Sequence, residues 1–419
     1  MNKLENIIGI IGLIAVVILG NTFLVTDALF IRLLIGIAIG YSLSRAYTGF
    51  AGSVNRAYNT GSTKLMRSMM LMFFVTALVT SGFVLLNGTD NYNLWINPIN
   101  LGLVLGALSF GFGMSLSSCC ASGVLTDLIS GLPRALVTLV FFGMGVFLGF
   151  PIQRTSTIVQ NSVATTAVGA SKQGGVYIPD LFGGGVQGTI FALILVGFLC
   201  LLVTVIAYNY ERKRKQNGTF TGVGSEKVAE QTYNYDSKDY KFFSKENYYR
   251  LVAKPWTLTQ GSMALVFIFV IMMAVFNAGW GASTPYGIWF GKLLMVFGVS
   301  ANSLVEFTKM SSSTFTTPFF ENQITVQNVG IVVGTLFYLL SAGVLKKMFF
   351  SEMHITAKEV FVFALGGITM GFGTRLANGC NVGALYTPIS NLSLSGWVFL
   401  VFMVVGGIAG STFSKKINS

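Results

Sequence analysis

Residues 106–132 read GALSFGFGMSLSSCCASGVLTDLISGL, and residues 366–392 read GGITMGFGTRLANGCNVGALYTPISNL. Shifted by 260 positions without a gap, the two phrases agree at 11 of 27 residues. The shared set includes Gly106/Gly366, Gly111/Gly371, Gly113/Gly373, Cys120/Cys380 and Gly123/Gly383. In each phrase a polar stretch, Ser115–Ser122 or Thr374–Asn381, interrupts an apolar pattern. The apolar run that follows, Val124–Leu132 or Gly383–Leu392, is far shorter than the roughly 20 residues a membrane-crossing helix needs.

The chain around these phrases belongs in a bilayer. Of 419 residues, 53% are apolar and only 10% charged, with a mean hydropathy of +0.69. Soluble domains carry about 25% charged residues. The 49 glycines fit close packing of membrane helices. The net charge of +12 does not imply nucleic acid, because ten of the 27 basic residues fall between Arg212 and Lys254, mixed with acids, as in one solvated loop. Cytoplasmic loops of membrane proteins are enriched in Lys and Arg. The N-terminal run reads as a retained first span, since no small-residue cleavage site follows it.

Spans are expected near 7–25, 65–86, 98–116, 134–150, 186–208, 259–277, 326–345, 358–376 and 395–412. Shorter runs at 28–43 and 286–300 would raise nine to eleven. The 260-residue offset also lays Leu29–Leu34 on Trp289–Leu294, and the span at 65–86 on that at 326–345. The expected fold is therefore an all-α polytopic membrane protein. Residues 1–150 form a first repeat, 151–208 a connecting loop and extra span, 209–256 a charged cytoplasmic linker, and 257–419 a second repeat. Basic residues at 45–67 and 212–215 put those segments inside. Lys346 and Lys347 fall on the wrong side if the repeats run parallel, so parallel and inverted repeats both stay open.

Broken backbone at membrane depth is tolerated only where it is buried in protein or faces a water-filled cavity. Each phrase thus predicts a helix, a break and a short re-entrant helix returning to its own side, the two meeting at the membrane centre. Duplicated transporters hold substrate where the copies meet. Cys120 and Cys380 are then candidate substrate-binding residues, since a thiol is a weak donor and weak acceptor suited to a soft sulfur-bearing anion. The alternative for each is packing, the usual role of a free cysteine. Cys119, opposite Gly379, is a second thiol or a filler, and Cys200 in GFLCLLVTVIA reads as packing. Arg375, five residues before Cys380, would attract an anion, because charge at membrane depth marks a cavity or pathway. Its repeat partner is Ser115, so that charge is asymmetric. Gly113 and Gly373 serve close packing or offer backbone N–H groups to an anion. Residues 45–53 form a possible third re-entrant piece, opposite Glu306–Ser313. No metal spacing, cofactor motif or catalytic constellation is present; His354 is the single histidine.

The phrases GFGTRLANGCNVG and GFGMSLSSCCASG resemble the cysteine motifs of the YeeE/YedE family of bacterial integral membrane proteins, and GYSLSRAYTGFAGSVNRA resembles that family's early motif. The resemblance implies a multi-pass inner-membrane transporter rather than an enzyme, taking up a small sulfur- or selenium-containing anion such as thiosulfate along a line of thiols. It implies short helices pointing to the centre from both faces. It also implies a cytosolic sulfurtransferase or small thiol carrier as partner. By position it assigns Cys120 and Cys380 to substrate. Tyr47, Thr48 and Gly49 stand where thiosulfate-moving members carry a further cysteine, and Cys119 replaces the glycine expected before Cys120. Two other readings remain: a channel for another solute with structural cysteines, and a sulfur-transfer enzyme forming a persulfide on Cys380.

Overall fold

A computed structural model describes residues 3–231, 241 and 244–418; residues 232–240 and 242–243 of the expected linker lie outside the described residues. The long helices are α1 (Lys3–Phe23), α2 (Asp27–Ala46), α4 (Lys64–Asn87), α5 (Leu101–Ser117), α7 (Leu132–Thr155), α8 (Gly185–Gln216), α10 (Leu258–Phe276), α12 (Gln323–Ser341), α13 (Ala357–Leu376) and α15 (Leu394–Asn418). Shorter pieces join them: α3 (Gly52–Thr60), α6 (Gly123–Ser130), α9 (Gly224–Glu230) and α11 (Thr284–Val296). A further short helix, α14, opens as a π-helical turn, Asn381–Tyr386, and continues into Thr387–Ser390. Nine helices are long and apolar enough to cross a membrane among the described residues. The run at 28–43 is one of them, as α2, whereas 286–300 yields only the 13-residue α11.

One face of the bundle is basic. There Lys64 pairs with Glu230, Arg67 with Glu211 and Arg134 with Glu352. Lys346 and Lys347 belong to the same face, since the Leu345 N–H donates to Glu5 and Tyr248 of the linker donates to the Ser341 carbonyl. On the opposite face the loops 88–100, 156–184, 277–283 and 391–393 meet through backbone bonds, such as Gly175 N–H to the Ile96 carbonyl and Leu394 N–H to the Val176 carbonyl. The apolar residues of α1 and α8 remain largely exposed, as lipid-facing helices must.

The direction of the helices resolves the orientation of the halves. Where α5 crosses α13, Gly106 meets Gly373 and Ala377, while Gly113 meets Gly366 and Met370, so the two run antiparallel. Against α15, Leu108 faces Gly406 and Phe112 faces Gly410, so α5 and α15 run parallel. Against α7, α13 pairs Gly367 with Thr138 and Gly371 with Phe142, again parallel. Helices related by the 260-residue offset therefore point in opposite directions. Lys346 and Lys347 fall on the basic face for this reason, and the conflict posed by parallel halves disappears.

Two expectations need correction. Under the offset, Leu29–Leu34 lay on Trp289–Leu294, but α2 packs along α12, whereas α11, which carries Trp289–Leu294, packs chiefly on α7 and not along α4. Segments 277–322, with the short α11, are extra material between α10 and α12. Secondly, the broken elements do not return to their own side. The helix α5 starts on the opposite face, where the Asn100 amide donates to the Val159 carbonyl, and α6 ends on the basic face, where Asp127 pairs with Arg134. The break lies inside a completed crossing.

Candidate functional site

Each break is made the same way. A residue in left-handed conformation, Ser118 (φ 55°) or Asn378 (φ 56°), ends the long helix, and these two are equivalent under the offset. Two residues later comes the cysteine, and the short helix starts at Gly123 in the first copy and at Asn381 in the second. The Gly123 N–H donates to the Cys120 sulfur at 3.4 Å, and the Cys120 carbonyl accepts the Val124 N–H at 2.8 Å. The Cys380 carbonyl accepts Ala384 N–H at 2.6 Å. Both thiols thus sit at N-terminal ends of short helices, where free backbone N–H groups and the helix dipole favour negative charge.

Cys119, Cys120 and Cys380 belong to one buried cluster together with Tyr286. The Tyr286 hydroxyl donates to the Ala121 carbonyl, bracing the first break. Asn381, beside Cys380 and 1% exposed, donates to the Met114 sulfur and leaves Oδ1 without a partner. An unpartnered buried polar atom is costly and calls for an explanation.

A cavity approaches this centre from each face. On the basic face, about 310 Å³ is lined by Cys119, Cys120, Ser118 and Asp127, by Tyr47 and Gly49 of the early motif, and by Arg56. On the opposite face, about 380 Å³ is lined by Trp95, Asn97, Gln153, Gln160, Gln173 and Asn378. Cys380 lines neither and is fully buried.

Arg375 stands on the opposite-face side of the thiols. It donates to Ser283 at 2.7 Å, Thr374 at 3.1 Å, Thr284 at 3.2 Å and Gln153 at 3.5 Å, and its guanidinium lies over the Phe150 ring. All these partners are neutral, and among the described residues it pairs with no carboxylate. Gln153 bridges it to Asn378 at the cavity wall. Its counterpart Ser115 instead ties α15 to α3 through Gly407 and Asn55.

The other expected residues divide. Gly113 and Gly373 lie in the helix crossing, where their missing side chains let two backbones touch, and line neither cavity. Gly379 packs on the backbone of Gly383 and Ala384, where a Cβ would come within 2.6 Å of Ala384 N. Cys119 faces the basic cavity; Cys200 is buried in the packing of α8. Trp95, Gln153, Asn378, Tyr286 and Arg56 were not foreseen as site residues. Asn378 carried one signal, its equivalence to Ser118; the rest lie in segments without a repeated pattern.

The profile of the sulphur transport family matches residues 45–409, most of the chain and both breaks. The chain belongs to that family. Within it, the chain is 24% identical to the thiosulfate transporter TsuA of Spirochaeta thermophila over 385 residues, covering 89% of this chain and 95% of the relative. It is 24% identical over 161 residues to the probable transporter YedE of Escherichia coli, 38% of each chain. A 42-residue stretch, 10% of this chain and 12% of the relative, is 43% identical to the Escherichia coli thiosulfate transporter TsuA.

Proposed function

We propose that this protein is an inner-membrane transporter for a small sulfur-containing anion, thiosulfate or a selenium analogue, which passes between Cys120 and Cys380. The observation that carries the reading is the paired arrangement of two thiols, each at the N-terminal end of a short helix, between two opposed cavities. The halves act as inverted repeats, a design in which broken helices aim their positive ends at an anionic substrate near the bilayer midplane. The basic face is cytoplasmic by its Lys and Arg content. The amide-lined cavity is the outer entrance. Arg375 supplies a positive field with no resident carboxylate to cancel it, so an anion gains a partner there without displacing one. A neutral S–H then offers a weak donor to a soft sulfur atom, holding the anion loosely enough to release it. Cys119 lines the exit with Cys120. A cytosolic sulfurtransferase or thiol carrier would receive the anion.

The test is growth on thiosulfate as sole sulfur source in a strain stripped of its own uptake routes, with radiolabelled uptake in proteoliposomes. Wild type restores growth and uptake. Full rescue by a Cys120→Ala/Cys380→Ala double variant would remove the thiols from the mechanism.

A further inference from the structure

The basic-face cavity contains one cation among its lining residues, Arg56. Its guanidinium lies over Gly52, where a Cβ would come within 2.9 Å of Nε, and one nitrogen donates to the Tyr47 carbonyl. The other nitrogen pairs with Glu226 at 3.1 Å. Glu226 belongs to α9 of the charged linker, 170 residues away in sequence. It is 5% exposed, and its second oxygen accepts the Ser62 hydroxyl at 2.7 Å. The cavity's only acid, Asp127, is held differently: it pairs at 3.1 Å with Arg134 of the adjoining helix α7.

We propose that Arg56 is a second anion-binding residue, at the exit cavity, and that linker Glu226 is the counter-ion it exchanges for the departing oxyanion. This rests on the transport reading. An anion leaving Cys120 enters a cavity whose single cation is already bound to a carboxylate. At Arg56 the exchange replaces one charge-assisted bond by another. The released Glu226 would be a buried carboxylate without its partner, a costly state. It therefore moves out to water and takes α9 with it. The Lys64–Glu230 pair, also on α9, opens with it, while Arg67–Glu211 keeps the preceding helix α8 in place. Anion occupancy and linker docking are then coupled, and the coupling is reciprocal.

The experiment uses the purified full-length chain, trypsin and thiosulfate, with sodium chloride at equal ionic strength as control. Cleavage after Lys227, inside α9, needs that helix to be released and unwound, so the Lys227 cut, identified by mass spectrometry, is the readout. Thiosulfate should speed wild-type linker cleavage about two- to fivefold, the scale of a partly exposed ion pair. Glu226→Gln should be cut at the faster rate with or without thiosulfate. Arg56→Gln should be cut fast and not respond. The same Glu226→Gln protein in liposomes should bind thiosulfate from the basic face about two- to fivefold more tightly. Equal cleavage of wild type and Glu226→Gln overturns the inference. So does wild-type cleavage unmoved by thiosulfate in protein that carries thiosulfate in liposomes. Protein that carries none overturns the transport reading instead.

Discussion

Gly106 and Gly373 meet backbone to backbone where α5 crosses α13: a Cβ on either residue would lie 2.7 Å from the other's carbonyl oxygen. The 260-residue offset turns this pair into Gly366 and Gly113, which make the matching contact seven residues further along the same crossing. The repeated glycines are thus the surface on which the two halves touch. The cysteines follow seven to fourteen residues later in each phrase, so the crossing also sets how far apart the thiols stand.

This contact predicts a stability defect. Replacing Gly106 or Gly373 by Leu forces two helices apart, and overpacking of this kind costs about 1–3 kcal/mol. The variant should lose thermal stability in detergent, read by size-exclusion recovery after heating. Gly82, whose added Cβ would meet nothing within 4 Å, is the control and should tolerate Leu. Equal melting of all these variants would show that the crossing is not tightly packed.

Thiol labelling should follow the cavities. In a Cys200→Ala background, a small aqueous maleimide reaching the basic face should label Cys119 and Cys120 before Cys380, because the first two line a cavity and the third does not. Thiosulfate should slow the reaction. Mass spectrometry of the modified peptides gives the order. Preferential reaction at Cys380 would reverse the proposed direction of closure.

Arg375→Gln should weaken anion uptake by about tenfold or more, since a hydrogen bond to a charged group contributes about 1.5–3 kcal/mol. Ser283, Thr284 and Gln153 keep neutral partners in the Gln variant, which limits collateral loss. Arg375→Lys should restore part of the affinity, because it returns the charge without the guanidinium fork. Half-saturation of radiolabelled uptake is the measurement, and an unchanged value would make Arg375 purely structural.

The breaks themselves can be tested through the backbone. Ser118 and Asn378 hold left-handed conformations that cost a side-chain-bearing residue about 1–2 kcal/mol. Ser118→Gly and Asn378→Gly should preserve uptake, and Ser118→Val and Asn378→Val should reduce both expression and uptake. If Val is harmless at both, the turn does not position the thiols.

Much of this was legible in the chain before its structure. The apolar runs predicted the spans, and the doubled Gly–Cys phrases predicted the breaks and marked Cys120, Cys380 and Arg375. The phrases did not separate a packing glycine from a binding one: Gly113 and Gly373 serve the crossing, because a missing side chain looks the same in both roles. Before the phrases the offset failed at one place: it set Leu29–Leu34 on Trp289–Leu294, which α11 carries against α7 instead, since apolar helices resemble one another whatever their position.

Sequence by itself determined that the chain lives in a bilayer and that two equivalent segments cannot stay helical there, because hydropathy and polar interruptions are local properties. Tertiary structure alone decided the opposite directions of the paired helices, the opening of one cavity on each face, and the reach of Glu226 to Arg56. Those depend on which surfaces meet across 170 or 260 positions of chain, and no local pattern encodes such a meeting.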